Sequence, residues 1–326
     1  MIKTENLFKY INTFSKQYGI YLMLIVVVAV FSLLSPRFLM VDNILTILRQ
    51  VSVLGIVSVG MMMVVISGGI DLSVGAVINL VNILCAYLMV RIGVSPVVAV
   101  MLCLLLALVI GALQGALITV IKIPPLICTL AFMTILRGVS FLISGGIPIS
   151  GFHPSFRVLG QGHIGLIPIP IVIMATVFAI GATILYKMYF GRYLYALGGN
   201  EEASNLSGVN VVKCRIVVYM ICSLLAAFAG IVLLSRLNSG SPSTGLGFEL
   251  DVITAVVLGG ISISGGAGKI SGVFAGVFIL GIINNGLLMI GVSEHWQWVT
   301  KGTILIIAVG FDCIQKRRVI IDKPRA

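Results

Sequence analysis

Charged side chains are scarce in these 326 residues, at 10% of the chain; soluble domains carry roughly a quarter. No stretch remains for a large water-soluble domain. Histidine is scarcer still, with only His153, His163 and His295. No HExxH and no credible Ser/His/Asp or Cys/His neighbourhood occurs, so a membrane enzyme has little to build a site from. The cysteines (Cys85, Cys103, Cys128, Cys214, Cys222 and Cys313) include no CxxC and no Cys/His cluster. Neither a metal site nor a redox pair is indicated. A complete nucleotide-binding motif is also missing. Gly265–Gly266–Ala267–Gly268–Lys269 has the composition of a phosphate loop, but Ile263 stands where its first Gly belongs and Ile270 where Ser or Thr belongs.

Apolar residues are what the chain has in plenty: 59% are hydrophobic and mean hydropathy is +1.18. A spanning helix needs about 20 mostly apolar residues. About ten segments qualify, near 18–35, 45–67, 72–90, 97–121, 126–144, 168–187, 216–235, 251–263, 271–291 and 298–314. They predict an all-α integral membrane protein, a single domain over residues 1–326. The eighth segment is short, and the chain before Gly265 is expected to be broken or re-entrant. Only a few residues around Gly68–Gly69–Ile70–Asp71 separate the second and third.

The net charge of +11 has a membrane explanation rather than a nucleic-acid one, because Lys and Arg in loops and tails orient helices. An even number of spans puts both ends on one side. With a cytoplasmic N-terminus, most of the 21 basic residues fall inside, including Lys316–Arg317–Arg318. The expected arrangement is therefore N-in and C-in, with cytoplasmic tails at 1–17 and about 315–326. The first apolar run reads as a retained helix, since no small-residue cleavage site follows it.

A short internal echo relates Gly69–Ile70–Asp71–Leu72–Ser73–Val74 to Gly247–Phe248–Glu249–Leu250–Asp251–Val252. Each follows a helix, and an odd number of spans separates them, as in an inverted-topology repeat. Charges in or near the membrane point to function by default; here they are Asp71, Arg137, Glu249 and Asp251. The plainer readings are helix capping for Asp71 and Glu249 and bundle pairing for Arg137. Asn79, Asn82, Gln114, Thr129, Asn284 and Asn285 are uncharged and polar inside spans. Amides suit sugar hydroxyls, but each also serves as helix–helix glue. Asn284 and Asn285 point about 100° apart on a helix, so one interface does not readily satisfy both. No chain of acids crosses the spans, which weakens the case for a stand-alone secondary carrier or facilitator.

The inner loop, about 188–215, is the longest polar stretch. Within it Asn200 is placed to cap a short helix, Glu201 and Glu202 to fill its first turn, and Gly208 to end it. The acidic turn disfavours anionic lipid, so a protein partner is the better reading.

Here the sequence resembles a known family. Gly198–Gly199–Asn200–Glu201–Glu202–Ala203 and Leu206–Ser207–Gly208–Val209 resemble the coupling loop of ribose-type sugar permeases of ABC importers. Ile66–Ser67–Gly68–Gly69–Ile70–Asp71–Leu72–Ser73–Val74–Gly75, Glu249–Leu250–Asp251, Val257–Leu258–Gly259–Gly260 and Asn284–Asn285–Gly286 are further matches. The similarity runs from about residue 35 to 313. It implies a multi-pass homodimer in the bacterial inner membrane, in contact with lipid and built of two inverted halves. It implies import of a monosaccharide, of ribose or allose type, from a periplasmic or lipid-anchored sugar-binding protein. No cofactor is implied in this chain: a separate cytoplasmic ATPase subunit binds ATP and docks on Gly198, Gly199, Asn200, Glu201, Glu202, Ala203, Leu206, Ser207 and Gly208. The expected pathway residues are Asp71, Ser73, Asn79, Asn82, Glu249, Asp251, Asn284 and Asn285.

Overall fold

The structure, a computed structural model, describes residues 19–321. The expected tail at 1–17 lies outside the described residues, as does the end of the tail beyond 321. The chain folds as helices throughout: α1 Gly19–Leu34, α2 Val41–Ile66, α3 Val74–Tyr87, α4 Pro96–Thr119, α5 Pro125–Ser144, α6 Pro154–Gln161, α7 Ile169–Lys187, α8 Tyr189–Gly199, α9 Glu201–Leu206, α10 Val211–Leu237, α11 Phe248–Leu258, α12 Ile270–Met289 and α13 Glu294–Ile321. A π-turn, Leu88–Ile92, extends α3. Four two-residue strands complete the list. β1 (Ile149–Ser150) pairs with β4 (Ser239–Gly240), and β2 (His163–Ile164) pairs with β3 (Ile167–Pro168).

Each apolar segment expected from hydropathy holds a helix, although in the eighth, 251–263, it ends at Leu258. Among the described residues, eight helices are long and apolar enough to cross a membrane. The other two, α1 and α11, are shorter. The stretch 145–167 between α5 and α7 holds α6 and a tight β2–β3 turn.

Local sequence explains the helix ends. Proline opens α4 (Pro96), α5 (Pro125) and α6 (Pro154), where its missing N–H costs nothing. Gly145 in the left-handed region stops α5.

The helices sort into an inner and an outer set. Most of α2, α3, α10 and α12 is buried, whereas α4, α5, α7 and α13 leave apolar faces open. An open apolar face on a long helix is what lipid covers, so this is a multi-pass membrane bundle. Small residues let the inner helices touch backbone to backbone. A Cβ on Gly111 would lie 2.5 Å from the Tyr219 carbonyl oxygen, and one on Gly115 2.6 Å from the Ile216 Cα. These two glycines seat α4 on α10. Gly272 and Gly276 seat α12 on α11 in the same way, against Gly259 and Ala255.

Candidate functional site

The segment 188–210 is two helices and a break. Asn200 leaves helical geometry, with φ −160° and ψ 108°, and its Oδ1 accepts from the Ala203 N–H at 2.9 Å. It thereby caps α9, as its position predicts. At the other end Val209 N–H donates to Ser204 O at 3.1 Å and Gly208 N–H to Asn205 O at 3.0 Å. Gly208 sits at φ +85°, which completes a Schellman closure. Asn210 then caps α10 through the Lys213 N–H at 2.9 Å.

Glu201 anchors α9 to α10 by two parallel bonds from Arg215, at 2.6 and 3.1 Å. Ser204 is buried, whereas Glu202, Asn205 and Leu206 face outward, Leu206 at 83% exposure. Beside them lies a groove of about 740 Å³, lined also by Thr119 at the end of α4 and Lys122 just beyond it. An acidic turn, an exposed leucine and an adjacent groove make a surface fit to receive another protein.

Behind that surface three chain breaks meet. Gly198, at the end of α8, packs on the Ile66 carbonyl at the end of α2, with no room for a Cβ, and 2.4 Å would separate that Cβ from Gly266 N in the loop before α12, closer than any real contact. Gly266 N–H donates to Ile66 O at 2.8 Å. Gly265, at φ +83°, lies against Gly68 and Gly198. Two tyrosines tie the same loops to the helices on either side of the break before α8. Tyr195 OH donates to Gly268 O at 2.9 Å, and Ile270 N–H donates to Tyr186 OH at 3.2 Å. Burial raises the Tyr195 phenol above its usual pKa and keeps it a donor. The end of α8, one residue before α9, is thus packed against the end of α2 and the loop before α12.

The polar residues of the interior divide into separate clusters. Asp71 is fully buried between α2 and α3, and its Oδ1 accepts from Ser73 N–H at 2.8 Å and Ser73 Oγ–H at 2.6 Å. Gln114 on α4 donates to Ser73 Oγ at 2.7 Å. Asp71 thus ties down the start of α3, close to its expected capping role. Glu249 does not cap α11. It pairs with Arg137 of α5 at 2.8 Å, because a guanidinium within reach satisfies a buried carboxylate better than backbone N–H groups already engaged in the preceding turn. Asp251 pairs with Lys301 of α13 at 2.7 Å.

Asn79 and Asn82 of α3 bind a segment that hydropathy does not reveal. Asn79 Nδ2 donates to the carbonyls of Pro242 and Thr244, each at 2.7 Å, and Asn82 Oδ1 accepts from Ser241 N–H at 3.2 Å. Gly240 packs against Ala86, and Gly245 against Gly75. Strand β4 and the irregular residues 241–247 after it therefore run along α3, over about 16 Å at 1.5 Å per residue, before α11 begins. Irregular backbone among buried helices needs its carbonyls and N–H groups satisfied, and the two amides do this. Asn285 donates to Asn43 Oδ1 at 3.0 Å. Asn284, its neighbour, turns instead into a cavity bounded by α2, α10, α11 and α12 that Asp251 also lines. The expected pathway set is thus brought together only in part.

A family model described as "Branched-chain amino acid transport system / permease component" matches residues 43–309. The ribose import permease protein of Bacillus subtilis is 43% identical over 313 residues, 95% of this chain and 97% of that one. The chain belongs to this permease family. The Escherichia coli K12 ribose import permease protein is also 43% identical, over 293 residues, 89% of this chain and 91% of that one. The E. coli K12 L-arabinose transport system permease protein is 39% identical over 306 residues, 91% of this chain and 90% of that one. No solved structure matches.

In this permease, sequence reasoning missed the 239–247 segment and two cavity residues, Gln50 and Arg236. A Ser/Pro/Gly stretch reads as an ordinary loop, and only the spacing of Asn79 and Asn82, three apart on one helix face, hinted that something polar lay beside them. Arg236 lies in the last turn of α10, and an arginine at a span end is a functional signal by default.

Proposed function

We propose that this chain is the membrane-spanning permease subunit of a binding-protein-dependent ABC importer that brings a monosaccharide, of ribose or allose type, across the bacterial cytoplasmic membrane. The observation that carries this is α9: a capped, acidic-fronted helix on the surface, joined through packed glycines to the ends of α2 and α12. The family description mentions branched-chain amino acids, but the relatives that match about nine-tenths of the chain are named for ribose and L-arabinose. Those names favour a sugar.

The chain carries no complete nucleotide loop, so ATP is hydrolysed on a partner. Closure of a paired ATPase on ATP draws the two α9 helices of a permease homodimer together, and the glycine contacts pass that displacement to α2 and α12. To invert a two-state population the ATP-bound partner must favour one bundle state by about 5 kcal/mol, which a docked helix on a stiff glycine contact can deliver. About ten spans in two inverted halves, N-in and C-in, place α9 on the cytoplasmic side. A sugar-binding protein delivers substrate on the opposite face. Glu249 and Asp251 are each paired with a cation, which suits a bundle that does not move protons or sodium.

The test is ATP-driven uptake by the reconstituted importer carrying Glu201→Ala with Gly208→Val. The expected result is wild-type membrane insertion with most uptake lost. Normal uptake by the well-expressed double variant contradicts the assignment.

A further inference from the structure

Between α2, α10, α11 and α12 lies a half-open cavity of about 280 Å³. Its volume falls just below the ~300–1,000 Å³ range of small-molecule sites, which suits one sugar ring better than a disaccharide. The lining combines the Gln50 and Asn284 amides, the Arg236 guanidinium, the Asp251 carboxylate and the Phe248 ring. We infer that this cavity is an internal binding site for a single unphosphorylated monosaccharide, with Asn284, Gln50, Arg236 and Asp251 reading hydroxyls and Phe248 covering the apolar C–H face of the ring.

The chemistry of the lining carries the inference, which rests on the importer reading for its substrate class. Asn284 Oδ1 and Asp251 Oδ1 are closed off from solvent and have no hydrogen-bond partner. Orphaned acceptors in a membrane interior are costly, and sugar hydroxyls are donors. Asp251 Oδ2 is already held by Lys301, so the carboxylate is anchored while its second oxygen has no partner and is sealed even from water; a ligand reaches it by a small turn of the side chain. Among the described residues no acid pairs with Arg236. A planar fork of donors is thereby left for vicinal oxygens. Together these groups offer both donors and acceptors, which a hydroxyl-rich neutral ligand needs and an aliphatic amino-acid side chain does not. The placement is also right for a transporter. Phe248 and Asp251 sit in the first turn of α11, a short helix that follows the irregular 241–247 segment, and broken helices build such sites. Asn285, one residue on, is consumed by Asn43. The neighbouring amides therefore have different tasks, one structural and one facing the ligand.

Substrate protection of introduced thiols tests this in the full-length permease, in lipid nanodiscs with its co-purified partners. Cys313 is exposed and the other cysteines are buried, so each variant is made with Cys313→Ser. Asn284→Cys and, on the facing helix, Gln50→Cys are labelled with a hydrophilic methanethiosulfonate. Rates are read with D-ribose, L-arabinose, D-galactose or L-leucine present; Leu166→Cys, on an exposed turn, is the control. At least one sugar should halve the rate or better at both positions, leucine should not, and the control should not respond. If one variant fails to fold, the other carries the readout. No labelling, labelling that no sugar slows, or equal protection by leucine overturns the site. Failure of an ATPase to co-purify while sugar still protects would leave the site standing and remove the importer reading instead.

Discussion

Gly198 and Gly199 stand side by side, and only the first is enclosed. A Cβ on Gly198 would overlap the Ile66 carbonyl, whereas one on Gly199 meets nothing within 4 Å. Gly198→Ala must push α8 away from α2 or shift the loop before α12, a strain of roughly 1–3 kcal/mol by analogy with overpacked cores. It is expected to lower the thermal midpoint of the purified protein and to reduce ATP-driven uptake. Gly199→Ala should do neither. Equal effects from the two substitutions would remove the glycine contact from the mechanism. Asn79→Leu takes the donors away from the Pro242 and Thr244 carbonyls. The expected cost is about 1–3 kcal/mol, read as a lower midpoint in a thermal shift assay, with faster proteolysis within 239–247. A midpoint unchanged from wild type would mean that water or lipid headgroups satisfy those carbonyls. At this scale the sequence was readable where one helix decided the matter. The capping of α9 by Asn200 and the divergence of Asn284 from Asn285 follow from local geometry. The partners of Asn79 did not, because they lie more than 160 positions away.

The element that differs most from an ordinary span is α11. It is 11 residues long, too short to cross a bilayer core, and its first turn carries two acids. Two ion pairs hold it: Glu249 to α5 through Arg137, and Asp251 to α13 through Lys301. Removing one partner of such a pair leaves a charge without compensation, which is worse than removing both. Glu249→Leu alone is therefore expected to destabilise more than Glu249→Leu combined with Arg137→Met, measured by thermal unfolding in detergent. A double variant less stable than either single one would mean that the ion pair contributes net stability. The broken region around α11 was foreseen from its length, and the long helices from their unbroken apolar runs. The irregular segment in front of it was not. Whether a Ser/Pro/Gly stretch docks along a helix is decided by whether neighbouring amides bind its backbone, and hydropathy does not record that.

In the proposed importer an exposed helix, a contact of three glycine-lined breaks and a bundle of buried helices act as one lever. The lever has a purpose only if another protein pushes on it. The most direct measurement is purification of the chain from its native membrane in mild detergent, with mass spectrometry of what accompanies it. The account predicts a stoichiometric ATP-binding subunit that is lost when residues 200–208 are altered while the permease itself stays folded. Recovery of the chain alone, with uptake driven by an ion gradient in vesicles free of ATP, would contradict it.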